Sequence, residues 1–288
     1  SMWVENTATA AVLIPVALTI ARQVPDQKEA RRLLVLLVLG IAYSASLGGM
    51  VTIMGSASNA VASGFLAQIQ PWSFLDWSKY ALPPFLFIFP LTWWILLKIL
   101  PLSVSRIDIE QARTSFEKLG RMTATEIELV VTMAVAVLFW VVGAEIESAL
   151  GLPATLLSSS VIAVTAVLYL ACRQLITWND IKNVSWGIFL IIGAGLALGE
   201  ALNRSGATDW MAGAIAPVIV GPPLLVSLLF VVFLSALLTN ILNNTTIAAV
   251  LVPVLISVAA ANPEVSAIQL VLPVTLATTF RYSLPSAS

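Results

Sequence analysis

The sequence of 288 residues holds no histidine and one cysteine, and only 10% of it is charged. Each scarcity excludes something. Without histidine there is no imidazole to move protons near neutral pH, and the common zinc sites lose their usual ligand. A single cysteine, Cys172, forms no disulfide within the chain and no cysteine-rich metal site. With 14 basic and 15 acidic residues the net charge is −1, so no basic surplus points to nucleic acid. A soluble domain carries about 25% charged residues. A chain that is 59% hydrophobic cannot wrap one core in a polar shell, and lipid is the solvent that removes the need. Helices satisfy their own backbone in lipid, so the expected class is an all-α polytopic membrane protein.

A spanning helix needs about 20 apolar residues. Residues 82–100, 129–149, 154–172 and 186–202 come near that length. Residues 7–21 and 245–261 are apolar but too short to span comfortably, and each begins at an Asn-Thr pair. Residues 222–241 run into the second of these pairs. Residues 33–65 are interrupted by Ser44, Ser46, Gly48, Gly49, Gly55, Ser56, Ser58 and Asn59, which predicts two half-helices around an unwound middle. A further segment, 265–280, runs into a Ser-Pro-Ser stretch. Irregular backbone at membrane depth survives only when buried in protein or lining a cavity. Interrupted segments at matching places in two halves point to a transporter's binding site.

Lys and Arg set the expected orientation. Arg22, Lys28, Arg31 and Arg32 form one basic loop, and Lys98, Arg106, Arg113, Lys118 and Arg121 a second. Arg173 and Lys182 flank a third. With all three in the cytoplasm, segments 144–153 and 262–264 lie outside, carrying Glu145, Glu147 and Glu264 but no Lys or Arg. Residues 106–125 read as an amphipathic connector, and Trp72, Trp77, Trp93 and Trp94 as an interfacial belt. Glu200 and Arg204 read as an interfacial pair; Gly193, Gly195 and Gly199 as places of close helix packing.

The chain also repeats itself. Glu5-Asn6-Thr7-Ala8-Thr9-Ala10-Ala11-Val12-Leu13-Ile14-Pro15-Val16 aligns without a gap on Asn243-Asn244-Thr245-Thr246-Ile247-Ala248-Ala249-Val250-Leu251-Val252-Pro253-Val254. Apolar segments resemble each other by chance, but matched Asn-Thr and Pro positions do not follow from hydrophobicity. A shorter match follows in the same order, Gly55-Ser56-Ala57-Ser58 with Pro285-Ser286-Ala287-Ser288. By the charge reading the two Asn-Thr segments run in opposite directions, as in an inverted repeat. The expected division is a first repeat over 1–100, a cytoplasmic connector over 101–125 and a second repeat over 126–288.

These residues resemble the divalent-anion/sodium symporters of the solute carrier family 13 type. That family has a Ser-Asn-Thr motif at the tip of each of two re-entrant hairpins, each followed by an Ala-rich half-helix with Pro. Glu5-Asn6-Thr7 and Asn243-Asn244-Thr245 stand at those places, with Glu and Asn for the first serine. The Gly48-Gly49 to Asn59 stretch is similar to the family's unwound loop, and Gly193-Ala194-Gly195-Leu196-Ala197-Leu198 to its glycine-rich helix. The resemblance implies Na⁺-coupled symport of a divalent anion, a dicarboxylate of the succinate or citrate class or sulfate, and no enzymatic activity. It implies substrate contacts at Asn6, Thr7, Asn244, Thr245 and Ser286. One Na⁺ is then expected among Glu5, Asn6, Gly48, Gly49 and Ser56, and another among Asn243, Asn244 and Ser288. Coupling to protons, or transport of arsenite or citrate by a related carrier, stays open, as does a non-transporting fragment. Glu5 is either a Na⁺ ligand or a solvated carboxylate; Arg281 is either a counter-charge for the anion or a side chain reaching an interface. The expected setting is the bacterial inner membrane, with a homodimer for the full-length protein, lipid and a small anion as partners, and helices missing at both ends.

Overall fold

The structure is a computed structural model that describes residues 1–4, 6–101, 122–151, 153, 156–182, 184, 186–262 and 264–280. Among these residues there are twelve helices and no strand. They are α1 (Asn6–Ala21), α2 (Gln27–Gly49), α3 (Ala57–Ile69), α4 (Phe74–Ile99), α5 (Ala124–Leu150), α6 (Ser159–Cys172), α7 (Trp178–Lys182), α8 (Trp186–Arg204), α9 (Ala207–Val220), α10 (Leu224–Thr239), α11 (Asn244–Ala261) and α12 (Ala267–Ala277). Four of them, α2, α4, α5 and α11, are long and apolar enough to cross a membrane.

The expected break is present. α2 ends at Gly48-Gly49, a short 3-10 turn spans Ile53–Gly55, and α3 begins at Ala57. Three expectations need correction. The segment 154–172 yields a helix of only 14 residues, because it starts after Ser158. The segment 245–261 yields an 18-residue helix, roughly 27 Å long at 1.5 Å per residue, so it is not too short by length. Residues 207–220, unassigned from the sequence, form α9 after a left-handed Gly206 (φ 75°). Residues 102–121, most of the expected connector, lie outside the described residues, as do Glu5, Arg281, Ser286 and Ser288.

The chain divides into two compact units. The larger holds α1–α3, most of α4, most of α8, and α9–α12. Its core is built on α11, where eleven of 18 residues are buried, and α3 and α12 pack against it. α9 lies along α11, α10 along α12, and α1 along α2. Gly195 and Gly199 of α8 meet α11 closely: a methyl on Gly199 would sit 2.8 Å from Phe65 and 3.1 Å from the Ala249 carbonyl. Gly193 has open space instead, so close packing explains two of the three glycines.

Trp77 corrects the aromatic-belt expectation. It is fully buried, and its Nε1 donates to the Met50 carbonyl at 3.0 Å, pinning the start of the break. Trp93 donates to Ser44 Oγ at 3.1 Å, and only Trp94, 59% exposed, keeps the solvent- or lipid-facing position of a belt.

The smaller unit holds α5–α7. Thr123 caps α5 through a reciprocal pair with Glu126, and left-handed Gly151 (φ 62°) ends it. α6 packs on α5, where Glu128 accepts from Tyr169 at 2.8 Å and from Arg173 Nε at 2.6 Å. The buried Glu147 accepts from the Leu157 amide at 2.5 Å.

Candidate functional site

Both Asn-Thr pairs open a helix. α1 starts at Asn6 and α11 at Asn244, and Pro15 and Pro253 occupy the same step of each. The first amides of a helix have no intrahelical acceptor, and the dipole end there is positive. Asn243 caps α11, its Oδ1 accepting from the Thr245 amide at 2.9 Å.

Around the first pair, the backbone of the break closes on itself. A Cβ on Gly49 would collide with Asn6 Oδ1 and lie 2.9 Å from Asn6 Nδ2 and 2.8 Å from the Gly55 carbonyl. A Cβ on Gly55 would lie 2.7 Å from Gly49 Cα. Only glycine at both places lets the amide of Asn6 rest on this turn. Asn59, fully buried on α3, also holds the turn, its Nδ2 donating to the Gly49 carbonyl at 2.9 Å and to the Thr52 carbonyl at 2.8 Å. Thr52 Oγ1 donates to the Met2 carbonyl.

Two oxygens here have no donor. Asn6 Oδ1 and Asn59 Oδ1 are both buried and unpaired. Buried acceptors are nearly always satisfied, and leaving one unpaired costs about 1–3 kcal/mol. Of the residues expected at the first Na⁺ site, the structure brings Asn6 and Gly49 together. Gly48 instead faces Ser1 Oγ. Ser56 pairs with Ser58, their hydroxyls 2.9 Å apart.

The second pair is set differently. Asn244 and Thr245 are each 5% exposed, whereas Thr7 is exposed. Asn244 Oδ1 accepts from Thr239 Oγ1 at 2.9 Å, and the same hydroxyl lies 3.0 Å from the Thr278 carbonyl. The turn expected to face this pair, at Ser286 and Ser288, lies outside the described residues.

Among the described residues that meet at these points, none has an ionisable side chain. The chemistry is that of amide, hydroxyl and carbonyl dipoles and helix starts: donors for an anion, and hard oxygens for an alkali cation. Sequence reasoning missed the bonding roles of Asn59, Ser58, Thr239 and Thr278. Asn59 and Ser58 did stand in the list of polar interruptions; Thr239 and Thr278 are threonines at the ends of apolar helices and gave no local signal. Elsewhere, Glu200 and Arg204, read from the sequence as an interfacial pair, lie 2.6 Å apart with both side chains exposed.

Comparison with known proteins agrees in kind. The citrate transporter family (CitMHS) matches residues 1–279. An uncharacterized transporter of Haemophilus influenzae is 34% identical over 265 residues, covering 90% of this chain and 55% of the relative. An uncharacterized transporter of Methanocaldococcus jannaschii is 29% identical, covering 92% and 57%. The sodium-dependent dicarboxylate transporter SdcS of Staphylococcus aureus is 26% identical, covering 99% and 58%. The chain thus spans a little over half the length of these relatives. Two helix-opening Asn-Thr pairs, a glycine turn with unpaired oxygens and a match over nearly every residue lead to one assignment: this integral membrane chain belongs to the citrate transporter family, whose members are transporters and not enzymes.

Proposed function

We propose that the chain forms the substrate- and ion-binding part of a Na⁺-coupled symporter for a small divalent anion. The observation that carries this reading is the pair of buried, donor-less oxygens, Asn6 Oδ1 and Asn59 Oδ1, of two residues that contact the Gly49–Gly55 turn. A carbonyl-rich turn beside unpaired amide oxygens fits a cation held without a fixed negative charge. Of the expected residues, Asn6, Gly49 and Ser56 line this turn, and Asn59 joins them. The name of SdcS, sodium-dependent and dicarboxylate, supports the same pairing of ion and substrate.

The anion is bound, on this reading, by the helix starts at Asn6-Thr7 and Asn244-Thr245. Their free amides and positive dipole ends attract a carboxylate or sulfate without a lysine or arginine. Bound Na⁺ offsets the anion's charge, and that mutual dependence links the two fluxes. The halves 1–100 and 126–288 each supply one such point, and access alternates by moving the part that carries them. The family name favours citrate as the substrate to try beside the smaller dicarboxylates.

The test is uptake of labelled succinate, citrate and sulfate into proteoliposomes, with and without an inward Na⁺ gradient, by this chain and by one extended at both ends. Na⁺-driven uptake of one of these, lost in Asn6→Ala and in Asn244→Ala, is the expected result. Uptake driven by a proton gradient and indifferent to Na⁺ assigns the other coupling and rejects this one.

A further inference from the structure

The first glycine turn and the second Asn-Thr point are joined through the protein interior. Ser56 Oγ lies 2.9 Å from Ser58 Oγ, and Ser58 Oγ lies 3.4 Å from Thr278 Oγ1. The carbonyl of the same Thr278 is 3.0 Å from Thr239 Oγ1, which is 2.9 Å from Asn244 Oδ1. Ser58, Thr278 and Thr239 are fully buried and Asn244 nearly so. Thr278 is the only residue in this series that reaches both sides, with its hydroxyl towards the first glycine turn and its carbonyl towards the second motif.

The protons in this series are limited. Thr278 Oγ1 donates to the Thr275 carbonyl at 2.7 Å and, at 3.4 Å, to Ser58 Oγ, so its single proton is divided between two acceptors. Thr239 has one proton and two acceptors, Asn244 Oδ1 and the Thr278 carbonyl. If the Asn244 amide turns over, its Nδ2 donates to Thr239 and the Thr239 proton goes to Thr278. If its oxygen stays towards Thr239, the proton goes to Asn244 and the Thr278 carbonyl loses it. The orientation of Asn244 therefore sets the load on Thr278. The loosest link, at 3.4 Å, is the one from α3 to the end of α12, where a small shift changes bonding most.

We propose that Thr278 is a positioning residue that couples the two binding points: ligand occupancy at Asn244 fixes the Thr239 proton, and Thr278 passes the change to Ser58, Ser56 and the Gly49–Gly55 turn. This rests on the Na⁺ reading above, with a second Na⁺ at Asn244. Coupling of this kind is reciprocal, so Na⁺ at either point raises affinity at the other.

The test is equilibrium binding of radiolabelled Na⁺ to the detergent-purified chain. Wild type is expected to bind cooperatively, with a Hill coefficient towards about 2. Thr278→Val keeps the shape and the carbonyl but removes the hydroxyl. It is expected to bring the coefficient to about 1 and to weaken apparent affinity about 5-fold or more. Ser58→Ala cuts the same link from the other side and should match it, which covers the case in which Thr278→Val does not fold. Thr278→Ser should restore cooperativity, an outcome that loss of packing alone does not produce. If wild type binds no Na⁺, the sodium reading falls and the tie falls with it. If wild type binds Na⁺ cooperatively and both Thr278→Val and Ser58→Ala do so equally, the tie alone is overturned.

Discussion

The same sequence word opens α1 and α11, yet the two helices live in different surroundings. α1 buries only Ala17 and Ala21, and Val12 is 69% exposed. α11 buries eleven residues among α3, α9 and α12. Aligned positions make the contrast sharp: Leu13 is 41% exposed and its match Leu251 only 7%, while Val16 is 48% exposed and Val254 fully buried. Among the described residues, α1 has no counterpart of the α9 and α10 cover. The amides differ too: Asn6 Oδ1 has no donor, whereas Asn244 Oδ1 has the Thr239 hydroxyl. A shared motif thus specifies a helix start, and the neighbours decide whether its oxygen is paired within the protein.

The largest effect should come from the matched leucines. Leu251→Ala removes buried methyls from the centre of the larger unit and is expected to cost about 2–5 kcal/mol. Leu13→Ala, at the same step of α1, is expected to stay within about 0.5 kcal/mol. Denaturant titration of the two purified variants checks this. Equal losses would show that α1 is as enclosed as α11 and would break the comparison.

A middle-sized effect belongs to the glycine turn. Asn59→Ala leaves the Gly49 and Thr52 carbonyls without their donor. Each buried acceptor left unpaired costs about 1–3 kcal/mol, less the relief of losing the donor-less Asn59 Oδ1. A net loss of roughly 1–3 kcal/mol is expected by the same titration, together with loss of any Na⁺-induced stabilisation. Retained Na⁺ stabilisation in this variant would place the cation elsewhere than at this turn.

Much of the frame was legible in the sequence. Asn-Thr and Pro at matched steps marked both helix starts, and a cluster of Gly and Ser marked the break, because polar residues in an apolar run must have a local reason. What stayed hidden depends on partners distant in the chain. Thr278 lies beside Thr279 in an apolar segment, and only the fold brings it to Ser58 and Thr239. Trp77 looks like its neighbours in hydropathy, and only packing separates the buried Trp77 from the exposed Trp94. α9 was hidden because a 14-residue helix with an internal Pro217 falls below the length that hydropathy detects.

The smallest effect is the most discriminating, because its sign differs between the two motifs. Asn6→Ala removes an oxygen that is buried without a donor, so in Na⁺-free buffer its melting temperature should equal or exceed that of wild type. Asn244→Ala removes a satisfied oxygen and strips the Thr239 hydroxyl of a partner, so it should be less stable by about 1 kcal/mol. Added Na⁺ reverses the first comparison. A site that binds only the folded state stabilises it by about 2.7 kcal/mol at a hundred times the dissociation constant, and Asn6→Ala forfeits that gain at the first turn. Asn6→Ala should therefore lead wild type without Na⁺ and trail it with Na⁺, while Asn244→Ala trails under both conditions. Identical behaviour of the two variants would mean that the Asn6 oxygen is no freer for a ligand than that of Asn244, and the difference between the motifs would lose its functional meaning.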